Sequence, residues 1–167
     1  ETENQLIYYA KKISILRKNK ALELEKEVKY ILNQMYLQQV QFKFDFQIND
    51  FNDNGIDNVK IVVSTNSGQP LQPLQKIASG GELSRIMLAI KAVSQNSKDG
   101  GTIIFDEADT GVSGKVAESI GHVIKKISKK QQVICITHLA QVACFANNHL
   151  FIEKEQMDNT SKVHVRL

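Results

Sequence analysis

The residues able to do chemistry fall in a few short strings in the second half of the chain. Ser79-Gly80-Gly81-Glu82-Leu83-Ser84-Arg85 leads into an apolar-periodic run, and Ser79 with Glu82 three residues later makes a capping box. On one reading that is only a well-capped helix. Capping, however, does not need consecutive glycines at the first helical positions, where they weaken the helix. Bare backbone there lets the unpaired N–H groups of the first turn approach a ligand closely. Those groups and the helix dipole together favour an anion such as phosphate.

Ile103-Ile104-Phe105-Asp106-Glu107 sets adjacent carboxylates at the C-terminal end of an apolar strand, where open α/β sheets bind ligands. One acid there can hold Mg²⁺, usually through water, and the next can orient or deprotonate an attacking water. The plainer alternative is that Asp106 caps the following turn. Ala108-Asp109-Thr110-Gly111-Val112-Ser113-Gly114 is a Gly-rich turn into a helix. Thr137-His138 closes a second apolar strand at the same sheet edge, where the imidazole can meet a terminal phosphate or serve structure alone.

These strings need elements to position them. Leu83, Ile86, Met87, Ala89, Ile90 and Val93 give a helix an apolar face, and so do Val116, Ile120, Val123, Ile124 and Ile127. Thr102–Phe105 and Gln132–Thr137 read as strands buried on both faces, with Leu150–Ile152 as a third and Lys162–Leu167 as a closing strand. Earlier, Phe42, Phe44, Phe46 and Ile48 alternate with polar residues, as do Val59, Ile61 and Val63. That predicts a hairpin with its turn over Asn49–Asn58. Ser64–Gln75, which holds both prolines, Pro70 and Pro73, reads as a loop. From Thr2 to Gln39 there is neither Pro nor Gly. Leu6, Ala10 and Ile13 join Ala21, Leu24, Val28, Ile31 and Met35 through Arg17 only by two steps of four, a stutter in a heptad. The helix is either an amphipathic surface helix or the last turns of a coiled coil entering a globular head.

The 167 residues suffice for one domain with a real core. A formal net charge of +3 is too small to argue for nucleic acid, and no apolar run is long enough to span a bilayer. Cys135 and Cys144 lack metal-ligand spacing and read as small buried hydrophobes of a reducing compartment, with the cytoplasm as the expected home. Starting at Glu1 and without a signal peptide, the chain reads as a soluble piece of a longer polypeptide.

In order, SGGELSR, TIIFDEADTGVSG and ITHLAQVA resemble the signature motif, Walker B strand, D-loop and switch histidine of ABC-type ATPases. The longer wording STNSGQPLQPLQKIASGGELSRIMLAIKAV, FDEADTGVSG and THLAQVA narrows the resemblance to the RecN family of bacterial DNA repair proteins, which belongs with the SMC-like ATPases. It covers nearly the whole chain, the helix before Gln39 matching the family's returning coiled-coil arm. The resemblance implies an α/β fold, the C-terminal lobe of an ABC/SMC-like ATPase head, with an N-terminal coiled-coil helix and an antiparallel β-hairpin. Residues 1–40 would end the arm and 41–167 would form the lobe.

Roles follow by resemblance: Asp106 as the Walker B acid on Mg²⁺, Glu107 as the general base, and His138 on the γ-phosphate. Ser79, Gly80 and Gly81, with Glu82 beside them, would bind the nucleotide of an opposing head, and Asp109 and Gly111 would lie at that interface in the D-loop. The implied cofactors are ATP and Mg²⁺. The implied partners are an N-terminal lobe of the same protein, a second head in a nucleotide-dependent homodimer, DNA (ends or single strands) and a recombinase, in the cytoplasm at the nucleoid, with no membrane. A G-x-x-x-x-G-K-[ST] loop is missing: Gly114-Lys115 is followed by Val116. This stretch alone is therefore expected to bind ATP weakly or not at all and not to turn it over. The rival expectations are a head of another SMC-like ATPase, against which DTGVSG and THLAQVA argue, and a non-catalytic interaction domain.

Overall fold

The computed structural model describes residues 2–77, 79–94, 101–106, 108–157 and 160–167. A helix, α1 (Thr2–Gln34), leads into a hairpin of β1 (Gln41–Asn52) and β2 (Gly55–Ser64), edged by the short β3 (Gln72–Pro73). The remainder alternates: α2 (Gly80–Val93), β4 (Thr102–Asp106), α3 (Gly114–Ser128), β5 (Gln132–Ile136) and the short α4 (Ala140–Ala143). It closes with β6 (Phe151–Met157) and β7 (Thr160–Arg166). Parallel and antiparallel pairs both occur, so the mixed α/β class holds.

The head-facing line of α1 runs through Ala10, Ser14, Arg17, Ala21, Leu24, Val28, Ile31 and Met35, all buried or half-buried, in alternating steps of four and three. The expected stutter is therefore absent. Ser14 takes the position assigned to Ile13, which is 42% exposed. The reason lies across the chain: Ser14 Oγ donates to Asp57 Oδ1 at 2.7 Å, and Arg17 Nη1 donates to Asp57 Oδ2 at 3.3 Å. The Asp57 side chain is only 1% exposed, so the seam needs polar partners there. The helix stops where Tyr36 turns left-handed (φ +60°) and Leu37 N–H reaches Leu32 O at 2.9 Å, a Schellman closure.

The same contact explains the longer hairpin. Pairing runs from Gln41↔Ser64 to Ile48↔Asp57, shifts, and resumes at Asn52↔Gly55. Asp53 and Asn54 alone connect the strands, so most of the expected turn is strand. Gly55 supplies φ +98° at the tip. Asp57→Ala is expected to destabilise the fold by about 2 kcal/mol, since a hydrogen-bonded buried carboxylate is lost and Ser14 is stranded. An unchanged urea midpoint would show that the α1–hairpin tie contributes nothing.

One core joins the end of α1 (Val28, Leu32, Met35) to Phe42 and Val63, then to α2 (Ile86, Leu88, Ala89), Phe105 and α3 (Ile120, Ile127). β4 and β5 pair in parallel, Thr102↔Gln132 through Asp106↔Ile136. Their strands are not buried on both faces as expected. Ile103, Phe105, Val133 and Cys135 turn to the core, while Ile104, Ile134 and Ile136 stay 62%, 46% and 53% exposed. The apolar outward residues suit a doubly covered sheet, and α2 and α3 cover only one side of it. The expected third and closing strands are present: β6 pairs antiparallel with β7, from Phe151↔Arg166 to Met157↔Thr160, in a sheet separate from β4–β5. Among the described residues no helix is long and apolar enough to cross a membrane.

Candidate nucleotide-binding site

The start of α2 is built as its sequence suggests. Ser79 is extended (φ −92°, ψ 115°), and its hydroxyl accepts from Glu82 N–H at 3.4 Å, leaving the first-turn amides of Gly80 and Gly81 at the helix end. Beside it lies a cleft of about 360 Å³, walled by Ser79, Gly80, Gly81 and Ser84 from α2, by Asp106 from the end of β4, and by Thr110 and Gly111 from the loop that follows. Gly111 has φ +72° and Gly114 φ +55°, so this loop needs glycine at both positions to turn from strand to helix.

The two glycines of α2 differ. An added Cβ at Gly80 meets nothing within 4 Å, so this residue is open. At Gly81 it would lie 2.8 Å from Thr110 O and 3.4 Å from Arg85 Nη1. Both glycines line the cleft, but a side chain would reach open space at Gly80 and the loop after β4 at Gly81. Gly81 is small because the loop after β4 packs on it.

The other expected residues divide. Asp106 is exposed on the cleft wall. Asp109 is 2% exposed and lies beneath the loop rather than in the cleft, with Oδ2 accepting from the Thr137 hydroxyl. Glu82 is half-buried on α2, away from the wall. His138 is exposed two residues beyond Ile136, the partner of Asp106, so strand register sets it at the same end of the sheet but outside the cleft lining. Glu107 lies outside the described residues.

Sequence reasoning passed over Ser84, Arg85, Thr110 and Thr137. Arg85 is 8% exposed, and its Nη1 donates to Thr110 O at 3.3 Å. Burial pulls its pKa down, against the opposing charge of Glu82. The available signal was an arginine one turn after Gly81, flanked by the fully buried Ile86, Leu88 and Ala89.

Burial pushes the Cys135 thiol up to about 11, and the carboxylates of Asp109 and Asp106 add to the shift. Among the described residues no group of three or more His, Cys, Asp or Glu side chains could hold a metal. A single carboxylate on the cleft fits Mg²⁺ that keeps its waters and arrives with phosphate oxygens; it does not fit a resident ion.

The fold is that of an SMC head lobe: the Smc head domain with coiled coil and joint from Pyrococcus yayanosii superposes with a TM-score of 0.61 at 21% identity, over 95% of this chain and 29% of that one. By sequence, the chain belongs to the RecN family over the stretch it spans. It is 43% identical to the DNA repair protein RecN of Bacillus subtilis over 94% of its length, and 43% identical to that of Halalkalibacterium halodurans over 90%. It spans 30% and 28% of the length of those curated relatives. No protein-family model matches the chain.

Proposed function

We propose that this chain is the C-terminal lobe of an ATP-hydrolysing head in a DNA double-strand-break repair protein. The observation that carries this reading is the convergence of the Ser79–Gly81 helix end, Asp106 and the Thr110–Gly111 loop on one cleft, in a chain that has no P-loop. On this reading the chain supplies half of a phosphoryl-transfer site: amides and a dipole for the γ-phosphate, Asp106 for Mg²⁺, and Glu107 as the base. The lysine and the hydroxyl that grip the β- and γ-phosphates are lacking. Mg²⁺ would neutralise charge on the transferring phosphoryl group. Within the chain, Asp106 would hold that ion, Glu107 would orient or deprotonate the attacking water, and His138 would contact the γ-phosphate.

Ser79, Gly80 and Gly81 would address the nucleotide of a second copy of the head, with Gly111 at the shared interface. The exposed Ile104, Ile134 and Ile136 support a second lobe of the same protein covering the open sheet face. Similarly, the exposed Leu6, Tyr9, Ile13 and Leu16, spaced by three and four, support a partner strand for a coiled-coil arm. DNA ends or single strands, and a recombinase, are proposed as partners of the whole protein because the relatives bear the name DNA repair protein.

The test is ATP hydrolysis by this chain alone and mixed with a separately expressed lobe carrying a P-loop. Turnover only in the mixture is expected. Tight ATP binding by the chain alone would mean that the phosphates sit elsewhere. An inert but folded complex would favour the interaction-domain reading.

A further inference from the structure

The loop after β4 is held from two sides by residues that do not line the cleft. On one side, Arg85 Nη1 donates to Thr110 O at 3.3 Å, and the missing Cβ of Gly81 lets that carbonyl sit against the first turn of α2. On the other, the Thr137 hydroxyl donates to Asp109 Oδ2 while accepting from Leu139 N–H at 3.0 Å. Asp109 also closes the loop through its backbone, its carbonyl accepting from Val112 N–H at 3.3 Å. Asp109 and Thr110 are adjacent, so one continuous path runs from the residue before His138, through the loop, to the helix end that faces the cleft.

Stability alone explains these choices poorly. Arg85 Nε and Asp109 Oδ1 are both buried without a partner among the described residues. Buried charged groups left partly unsatisfied destabilise the fold, and apolar residues of similar size would serve packing better. Strained or unsatisfied groups persist where the surroundings over-determine them, above all at functional sites. The geometry points to Arg85 and Thr137 as positioning residues, paired braces that set the Asp109–Thr110 loop and, through it, the orientation of the α2 first turn relative to the His138 end of β5. Resting on the function proposed above, the braces would couple the γ-phosphate contact of one site to the helix end offered to another.

The test uses the full-length protein as wild type, Thr137→Val, Thr137→Ser, Arg85→Lys and the Thr137→Val/Arg85→Lys double variant. Each is followed by ATP turnover, thermal melting and hydrogen exchange. Thr137→Val and Arg85→Lys are each expected to lower kcat about tenfold with KM within about twofold, since misplacement of a site penalises chemistry more than binding. Thr137→Ser, which keeps the hydroxyl, should restore most of kcat. The double variant should be little worse than the poorer single one, because both act through one loop.

Hydrogen exchange reads the braces without turnover. Thr137→Val should accelerate exchange in residues 109–112 and also in the first turn of α2, which Thr137 does not touch. Wild-type kcat in Thr137→Val, failure of the serine to rescue, or multiplying losses would overturn the proposal. So would faster exchange confined to the end of β5. Should Thr137→Val melt as an unfolded chain, Arg85→Lys decides alone: wild-type kcat, or unchanged exchange at residues 109–112, overturns it. A wild-type protein without turnover would sink the ATPase reading instead, while exchange still decides the braces.

Discussion

Glu107→Gln in the full-length protein is expected to reduce ATP turnover by a factor of about 10² to 10⁴ while leaving nucleotide affinity within a few-fold. The carboxamide keeps the size and hydrogen-bonding reach of the side chain but cannot take a proton. Asp106 lines the cleft and Glu107 follows it directly, at the end of a parallel pair where ligands approach the sheet. Asp106→Asn should behave differently, weakening Mg²⁺-dependent binding as well, because that residue would hold the ion that accompanies the phosphates. Comparing kcat with the Kd of a fluorescent ATP analogue separates the two. Unimpaired turnover in Glu107→Gln would remove the assigned base and with it the main chemical support for an ATPase.

The second large effect separates two residues that look alike in sequence. Gly81→Ala should impair the protein even without nucleotide, because its Cβ would lie 2.8 Å from the Thr110 carbonyl, closer than real contacts allow. Backbone rather than a flexible side chain must move, so the loop and Asp109 beneath it are displaced. A loss of about 1–3 kcal/mol in stability is expected from such overpacking, together with lost turnover. Gly80→Ala meets no neighbour and replaces a poor helix former with the best, so stability should hold or rise by up to about 1 kcal/mol. Any loss of turnover there must then come from something that occupies the open space, such as a phosphate or an opposing head. Denaturant midpoints and turnover measured on both variants check this. Equal destabilisation by the two would contradict the assigned packing, and full activity in Gly80→Ala would argue against a ligand at the helix end.

Much of this protein is determined locally and was therefore readable from sequence. Ser79 three residues before Glu82 specified the start of α2, because a cap is a contact between near neighbours. The apolar run ending in Asp106 specified a strand and placed its acid at the end that borders the cleft. The spacing of Val116, Ile120, Val123 and Ile127 specified α3, and the wording around these elements specified the family. Tertiary structure decided what depends on residues far apart in the chain. Ser14 rather than Ile13 sits in the α1 seam because Asp57, 43 residues away, needs a donor there. Asp109 lies in a loop that the resemblance assigns to an interface, and its carboxylate is buried and held by Thr137, 28 residues on. Gly80 and Gly81 are identical in composition and capping position, and only the approach of Thr110 distinguishes the glycine facing open space from the one facing backbone. Periodicity and spacing record which face of an element is apolar. Which distant group arrives at that face is set by how the elements pack, and the partners of the buried polar residues were settled at that level.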